Sequence, residues 1–317
     1  MNFSDLYKDS KKARKLLETT QEFFIKEFNL MPVMAIELEF FFLPNNDDES
    51  LSLEKLEELA GSVNSVAKNH GIKIGDVAKE VGKLQYEVNF MHSKDLCKIA
   101  DGVGKIKDIL SSIAMSYDLS VSFVPKPYTD LDVGSGMHVH LSLLDKEDNN
   151  VFSKNDSEES KDLLFVIAGL LKFLPDSMPF FVRENTDFDR FRSKFDLPKD
   201  QIRYKCNATN APTNISWGVN NRTTALRIPD NHKNQDARRV EHRVPSSSAN
   251  PYLALTGVLL GAYQGLKAKV EPQQKTWGNA FDEQYHLESL PLSLKEANSN
   301  FKKSELKVLL DQFENKS

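Results

Sequence analysis

Five short stretches of the chain set ionisable side chains at every second position of an apolar run. In AIELEFFFL, residues 35–43, they are Glu37 and Glu39. In LQYEVNF, 84–90, Glu87 alternates with Asn89. In GMHVHLSLL, 136–144, the set is His138, His140 and Ser142. TALRIP carries Arg227, and RRVEHRVP carries Arg239, Glu241 and Arg243. A period of two is that of a β-strand, whose side chains point alternately to opposite faces. Each stretch therefore has one apolar face, such as Ile36, Leu38 and Phe40, and one face of acids, imidazoles or guanidiniums. Carboxylates set side by side in a buried strand need positive charge nearby.

The residue types name the chemistry. Several carboxylates with one or two imidazoles suit Mg²⁺ or Mn²⁺, which favour oxygen ligands and tolerate imidazole. Arginines beside them bind phosphate and carboxylate oxygens bidentately. Divalent metal, arginines and no covalent nucleophile together describe phosphoryl transfer from a nucleotide. Taken singly, each pattern is more often a salt-bridge ladder or an exposed face. The argument rests on their joint occurrence.

The elements that must position these residues alternate between strands and long helices. Helical spacing covers 9–28, 51–69, 94–117 and 162–174, and a further apolar helix over 251–266 has Asn250 as N-cap and Pro251 at its first position. Strands are expected at 33–43, 84–90, 119–125 and 136–144, and two more around VNNRT, which reads as a hairpin turn. This predicts an α+β fold in which a curved antiparallel sheet, a half-barrel, shows a charged face and is backed by long helices. No Gly-rich phosphate loop follows a strand. The 317 residues, 27% charged with net charge −5, show no basic aromatic patch, which argues against a nucleic-acid partner. Cys97 and Cys206 form no framework, as in a reducing cytoplasm, and no stretch reads as a signal or membrane span.

The same stretches resemble the catalytic domain of the glutamine synthetase family. GSGMHVHLSL, APTNISWGVNNRTTALRIP, RRVEHRVPSSSANPYLAL, ELEFF and LPLSLKEA are similar to its motifs and keep their order over about 31–297. The resemblance implies a single domain, 1–317, of the glutamine synthetase/guanido kinase-like catalytic fold. It also implies a ligase that joins glutamate and ammonia at the expense of ATP, through γ-glutamyl phosphate. On matched positions, Glu39, Glu80 and Glu87 would hold one divalent ion, and Glu37, His138 and Glu241 the other. His140, Ser142 and Arg239 would contact nucleotide, and Gly134 and Arg243 glutamate. Arg222 and Arg227 would neutralise the transferring phosphoryl group. A cytoplasmic homo-oligomer acting on small molecules, with no membrane partner, is implied as well.

Departures from the pattern leave other readings open. One helix precedes the Glu-x-Glu strand where the family carries a β-grasp domain, whose aspartate serves the neighbouring subunit's site, and the chain stops soon after SLKEA. Asn210, in ATNAPT, stands at the flap position where the family has a catalytic glutamate, and an amide cannot take a proton as a carboxylate does. Arg203 is the nearest candidate for the flap's arginine. Leu84 replaces a glycine, Val133 an asparagine, and Phe281 the tyrosine that some members adenylylate. A ligase for a larger, polyamine-type amine and a non-catalytic homologue that binds nucleotide and metal are the alternatives.

Overall fold

The structure is a computed structural model that describes residues 2–45, 53–82, 84–127, 133–154, 158–191, 211–231 and 234–314. Two helices, α1 (Phe3–Lys8) and α2 (Ser10–Phe28), stand where one was expected, and Asp9 separates them by capping α2 through Lys11 and Lys12 N–H. Then follow β1 (Met31–Pro44), α3 (Leu53–Asn69), β2 (Ile74–Lys79), β3 (Gln85–Phe90), α4 (Leu96–Met115), β4 (Leu119–Ser122) and β5 (Met137–Leu144). The expected helix 162–174 is α5 (Lys161–Lys172), and it breaks at Phe173 into α6 (Leu174–Phe181), which begins with Pro175 near its first position. The chain continues through β6 (Trp217–Val219), β7 (Leu226–Ile228), β8 (Val240–His242), α7 (Pro251–Ala268), α8 (Leu294–Lys303) and α9 (Glu305–Glu314). Asn250 caps α7 by accepting from Tyr252 and Leu253 N–H, as its sequence predicts.

Among the described residues the strands form one open sheet in the order β2-β3-β1-β5-β8-β7-β6, and β4 pairs with the end of β1. All pairs are antiparallel except β6 with β7, which is parallel. The hairpin expected at VNNRT is therefore corrected. The chain loops back on itself because Asn221 ties the turn to a distant segment, donating to Thr276 and Gly278 carbonyls while accepting from Thr223. β2, which the sequence reading lacked, extends the sheet beyond β3.

The apolar faces of the strands do what period two predicts. Met34, Ile36, Leu38, Phe40 and Phe42 join Val88, Met137, Val139 and Leu141 in one core against the helices. α5 and α7 approach backbone to backbone: a Cβ on Gly265 would collide with the Phe165 carbonyl, and one on Gly169 with that of Gly261. Such contact is open only to glycine. No single helix among the described residues is long and apolar enough to cross a membrane.

Candidate active site

Register brings the ionisable faces together. Across β1, Glu39 pairs with Glu87, and Glu37 pairs with Asn89 on one side and His138 on the other. Across β5 and β7, Glu241 of β8 pairs with His140 and with Arg227. Residues directly opposite in an antiparallel ladder point to the same face. Four adjacent strands, with β7 next to them, thus raise acids, imidazoles and a guanidinium on one side of the sheet.

Glu241 is almost fully buried and is held by two arginines. Its carboxylate lies 2.7 Å from Arg227 Nη1 and 2.6 Å from Arg243 Nη1. Burial opposes its charge, but Arg243, His140 and His138 outweigh it and hold the carboxyl down at about 2. Glu37 behaves alike: burial is overcome by His140, whose Nε2 lies 2.8 Å away, and by His138, so its carboxyl stays well below the usual range. Arg239 Nε donates to His140 Nδ1 at 3.1 Å.

The opposite end of the face carries surplus acid. Burial, with Glu37, Glu39 and Glu80 facing it, pushes the Glu87 carboxyl up to about 9. Burial and Glu39 also raise Glu80, which follows β2, while Arg222 on the β6–β7 turn pulls it down. Glu39 is bound on one oxygen by the Gly136 N–H at 2.7 Å, and its other oxygen is 3.7 Å from His138 Nε2. Ligand atoms converge in two groups, Glu37 with Glu87 and His138, and Glu37 with His140 and Glu241. These differ from the sets carried over by resemblance: His140 enters the second group, and neither group contains Glu39 or Glu80. A buried carboxyl facing three other acids fits a bound cation, and the oxygen-rich donor set fits Mg²⁺ or Mn²⁺.

His140, Ser142 and Arg239 line one cleft of about 520 Å³ with Glu37, Asn89 and His92. Ser142 Oγ donates to the Arg238 carbonyl. Arg222 is exposed on its turn, and Arg227 also reaches Asn220. Asn210, Arg203 and Cys206 lie outside the described residues.

Sequence reasoning missed the buried charges behind the face. Arg190 is 1% exposed and donates through Nη1 to the Val244 and Pro245 carbonyls. It presses on the Gly-Ser-Gly segment so closely that a Cβ at Gly134 would fall 2.8 Å from its Cγ, and one at Gly136 2.6 Å from its Nη2. Asp187 accepts from the hydroxyls of Ser246 and Ser248 and from Arg183 and Glu184 N–H. Lys107 Nζ donates to the Ser247 carbonyl, and burial lowers its ammonium to about 8. Together they fix the loop that follows Arg243. The paired glycines were the signal available: they mark a backbone that something crosses closely.

Comparison with known proteins gives the following. The family described as the catalytic domain of glutamine synthetase matches residues 10–316. Gamma-glutamylputrescine synthetase of Escherichia coli (strain K12) is 28% identical over 87% of this chain and 59% of its own length. Glutamine synthetase of Thermotoga maritima is 28% identical over 95% of the chain and 67% of its own length. That of Thermococcus kodakarensis is 32% identical over 80% and 54%. The chain thus spans between about half and two thirds of the length of these relatives. A solved structure titled "GmaS/ADP complex-Conformation 1" shares the fold with a TM-score of 0.77 at 23% identity, over 93% of this chain and 68% of that one.

Proposed function

The chain belongs to the glutamine synthetase family, and from that premise we propose that it is an ATP-dependent carbon–nitrogen ligase. In this reading ATP phosphorylates the glutamate side-chain carboxylate, and ammonia then displaces phosphate from the γ-glutamyl phosphate to leave an amide. The observation that carries the reading is the register, which sets Glu39 against Glu87, Glu37 against His138, and Glu241 against His140 and Arg227.

Each residue then has a task. Glu39, Glu80 and Glu87 on one side, and Glu37, His138 and Glu241 on the other, would hold Mg²⁺ or Mn²⁺, which supplies neutralising charge to the phosphates. Nucleotide would occupy the cleft of His140, Ser142 and Arg239. Gly134 and Arg243 would hold glutamate. Arg222 and Arg227 would face the phosphoryl group in transfer, where fixed positive charge stabilises the transition state most. Asn210 would sit on the flap that keeps water from the acyl phosphate. The enzyme would work as a homo-oligomer in the cytoplasm.

One observation favours a second reading of the acceptor. A gamma-glutamylputrescine synthetase is as similar in identity, 28%, as the Thermotoga maritima glutamine synthetase, and in this second reading a primary amine would replace ammonia. Purified protein assayed for phosphate release from ATP separates these cases. Glutamate-dependent release matched by glutamine supports the ammonia ligase, and release matched by a γ-glutamyl amide only with an added amine supports the second reading. With Asn210 in place of an acid, phosphate is expected to outrun amide when ammonia is the acceptor. Nucleotide and metal binding with no phosphate release under any acceptor would replace both with a non-catalytic role.

A further inference from the structure

A second pocket lies across β3 from the site. It holds about 170 Å³ between the turn after α3, the end of β3 and the first half of α4. Its floor is apolar and dense. Ile72, Phe90 and Ile99 are buried, and a Cβ on Gly102 would meet Ile72 Cγ2 at 3.3 Å and Phe90 Cε1 at 3.4 Å. Its rim is cationic. Lys98 and Lys105 lie seven residues apart on one face of α4, and Lys73 follows the left-handed turn at Gly71.

The one carboxylate among the residues that line the pocket is engaged away from the lysines. Asp101, between the two α4 lysines, turns both oxygens to Arg14 Nη1 at 2.6 Å and accepts from the Tyr252 hydroxyl. Arg14 is shared with Glu18, 3.1 Å from its Nε. None of Lys73, Lys98 and Lys105 makes an ion pair among the described residues, although the chain as a whole is acidic at −5. Three lysines thus line one cavity that holds a single acid, and an anion seated there would be attracted by all three.

We propose that this pocket binds a small organic anion, a phosphate or carboxylate head on an apolar body. The head would meet the lysine rim and the body would lie on Ile72, Phe90 and Ile99. The volume holds roughly six waters at about 30 Å³ each, which bounds the buried part to a ring-sized group. Phe90, Met91 and His92 line both this pocket and the larger cleft, so an occupant would touch the end of the strand that carries Glu87 and Asn89.

Calorimetric titration of the metal-free protein with phenyl phosphate, benzoate, inorganic phosphate and phenol tests it. The anion with a ring should bind at least tenfold more tightly than inorganic phosphate or phenol. The phosphate and carboxylate arms identify the preferred head. Lys73→Glu with Lys98→Glu should abolish binding without moving the melting temperature by more than a degree or two, because both side chains are exposed. These lysines lie outside the metal and nucleotide cluster, so the variant should keep the melting response to Mn²⁺ of the parent, and a parent with no such response would fault the proposed function and not this site. Equal affinity for phenyl phosphate and inorganic phosphate, binding unaffected by the charge reversal, or no binding of any anion would overturn the proposal.

Discussion

Replacing Gly136 by alanine asks whether the backbone behind Glu39 is as tightly determined as it looks. The new Cβ would sit 2.6 Å from Arg190 Nη2 and 3.0 Å from His138 Nε2. Neither neighbour can retreat cheaply. Arg190 is pinned by the Val244 and Pro245 carbonyls, and His138 stands within 3.7 Å of Glu37, Glu39 and Glu241. The relief has to come from the Gly136 backbone, whose N–H donates to Glu39 Oε2 and whose carbonyl accepts from Glu39 N–H. Overpacking costs about 1–3 kcal/mol, and a lost hydrogen bond to a charged group about 1.5–3 kcal/mol. A loss of about 3–5 kcal/mol is expected in urea unfolding. The control is Gly104→Ala, in an exposed stretch of α4 with nothing within 4 Å of a new Cβ, which should gain about 0.5–1 kcal/mol. A Gly136→Ala protein within 1 kcal/mol of its parent would refute the close-packed account of the Gly-Ser-Gly segment.

Mg²⁺ or Mn²⁺ at about a hundred times its dissociation constant should add about 2.7 kcal/mol to stability, and Glu39→Ala should remove most of that gain; thermal melts with and without metal check both. Asp176 is raised to about 6 by burial and Glu305, against Lys172, so its contribution is full below about 4 and lost as pH rises through 6. Half-exposed as it is, that loss is about 1 kcal/mol after screening, so Asp176→Asn should stabilise at pH 7 and not at pH 4; an equal gain at both would break the assignment. Leu84 has φ 57, a left-handed conformation that costs a non-glycine residue about 1–2 kcal/mol. Leu84→Gly should therefore be near neutral in chemical denaturation, where relief of strain offsets lost packing, and unlike the about 2–5 kcal/mol expected for truncating a core leucine.

What was legible in the sequence was whatever period two or a cap could encode. β1, β3 and β5 came out within two residues because their alternation is strict over six residues or more, and Asn250 and Pro251 announced α7. β2, IGDVAK, alternates too weakly to be read and is a strand because β3 offers it an edge. The direction of β6 against β7 was not legible, since each is three residues long and their parallel pairing depends on Asn221 reaching Thr276, 55 residues on. Leu84 is the reverse case. Its departure from the family's glycine was visible, and the positive φ supplies the physical reason a glycine suits that position.

The face itself was legible; its division was not. Alternation treats Glu37, Glu39, Glu87 and Glu241 as equivalent acids on one side of a sheet. The fold makes them unequal through partners that arrive from other strands. Arg227 and Arg243 converge on Glu241, and His138 and His140 on Glu37, so these two carboxyls are held charged. Against Glu87 stand burial and three more acids, which a hydrogen bond from Asn89 only partly offsets, and its carboxyl rises to about 9. The charge missing from the protein is thus localised at the Glu39–Glu87 end. A divalent ion there would convert the least favourable part of the face into its anchor, whereas at the other end Arg227 and Arg243 already neutralise Glu241. Position along the ladder, and not residue type, decides which carboxyls are held charged and which are left in surplus.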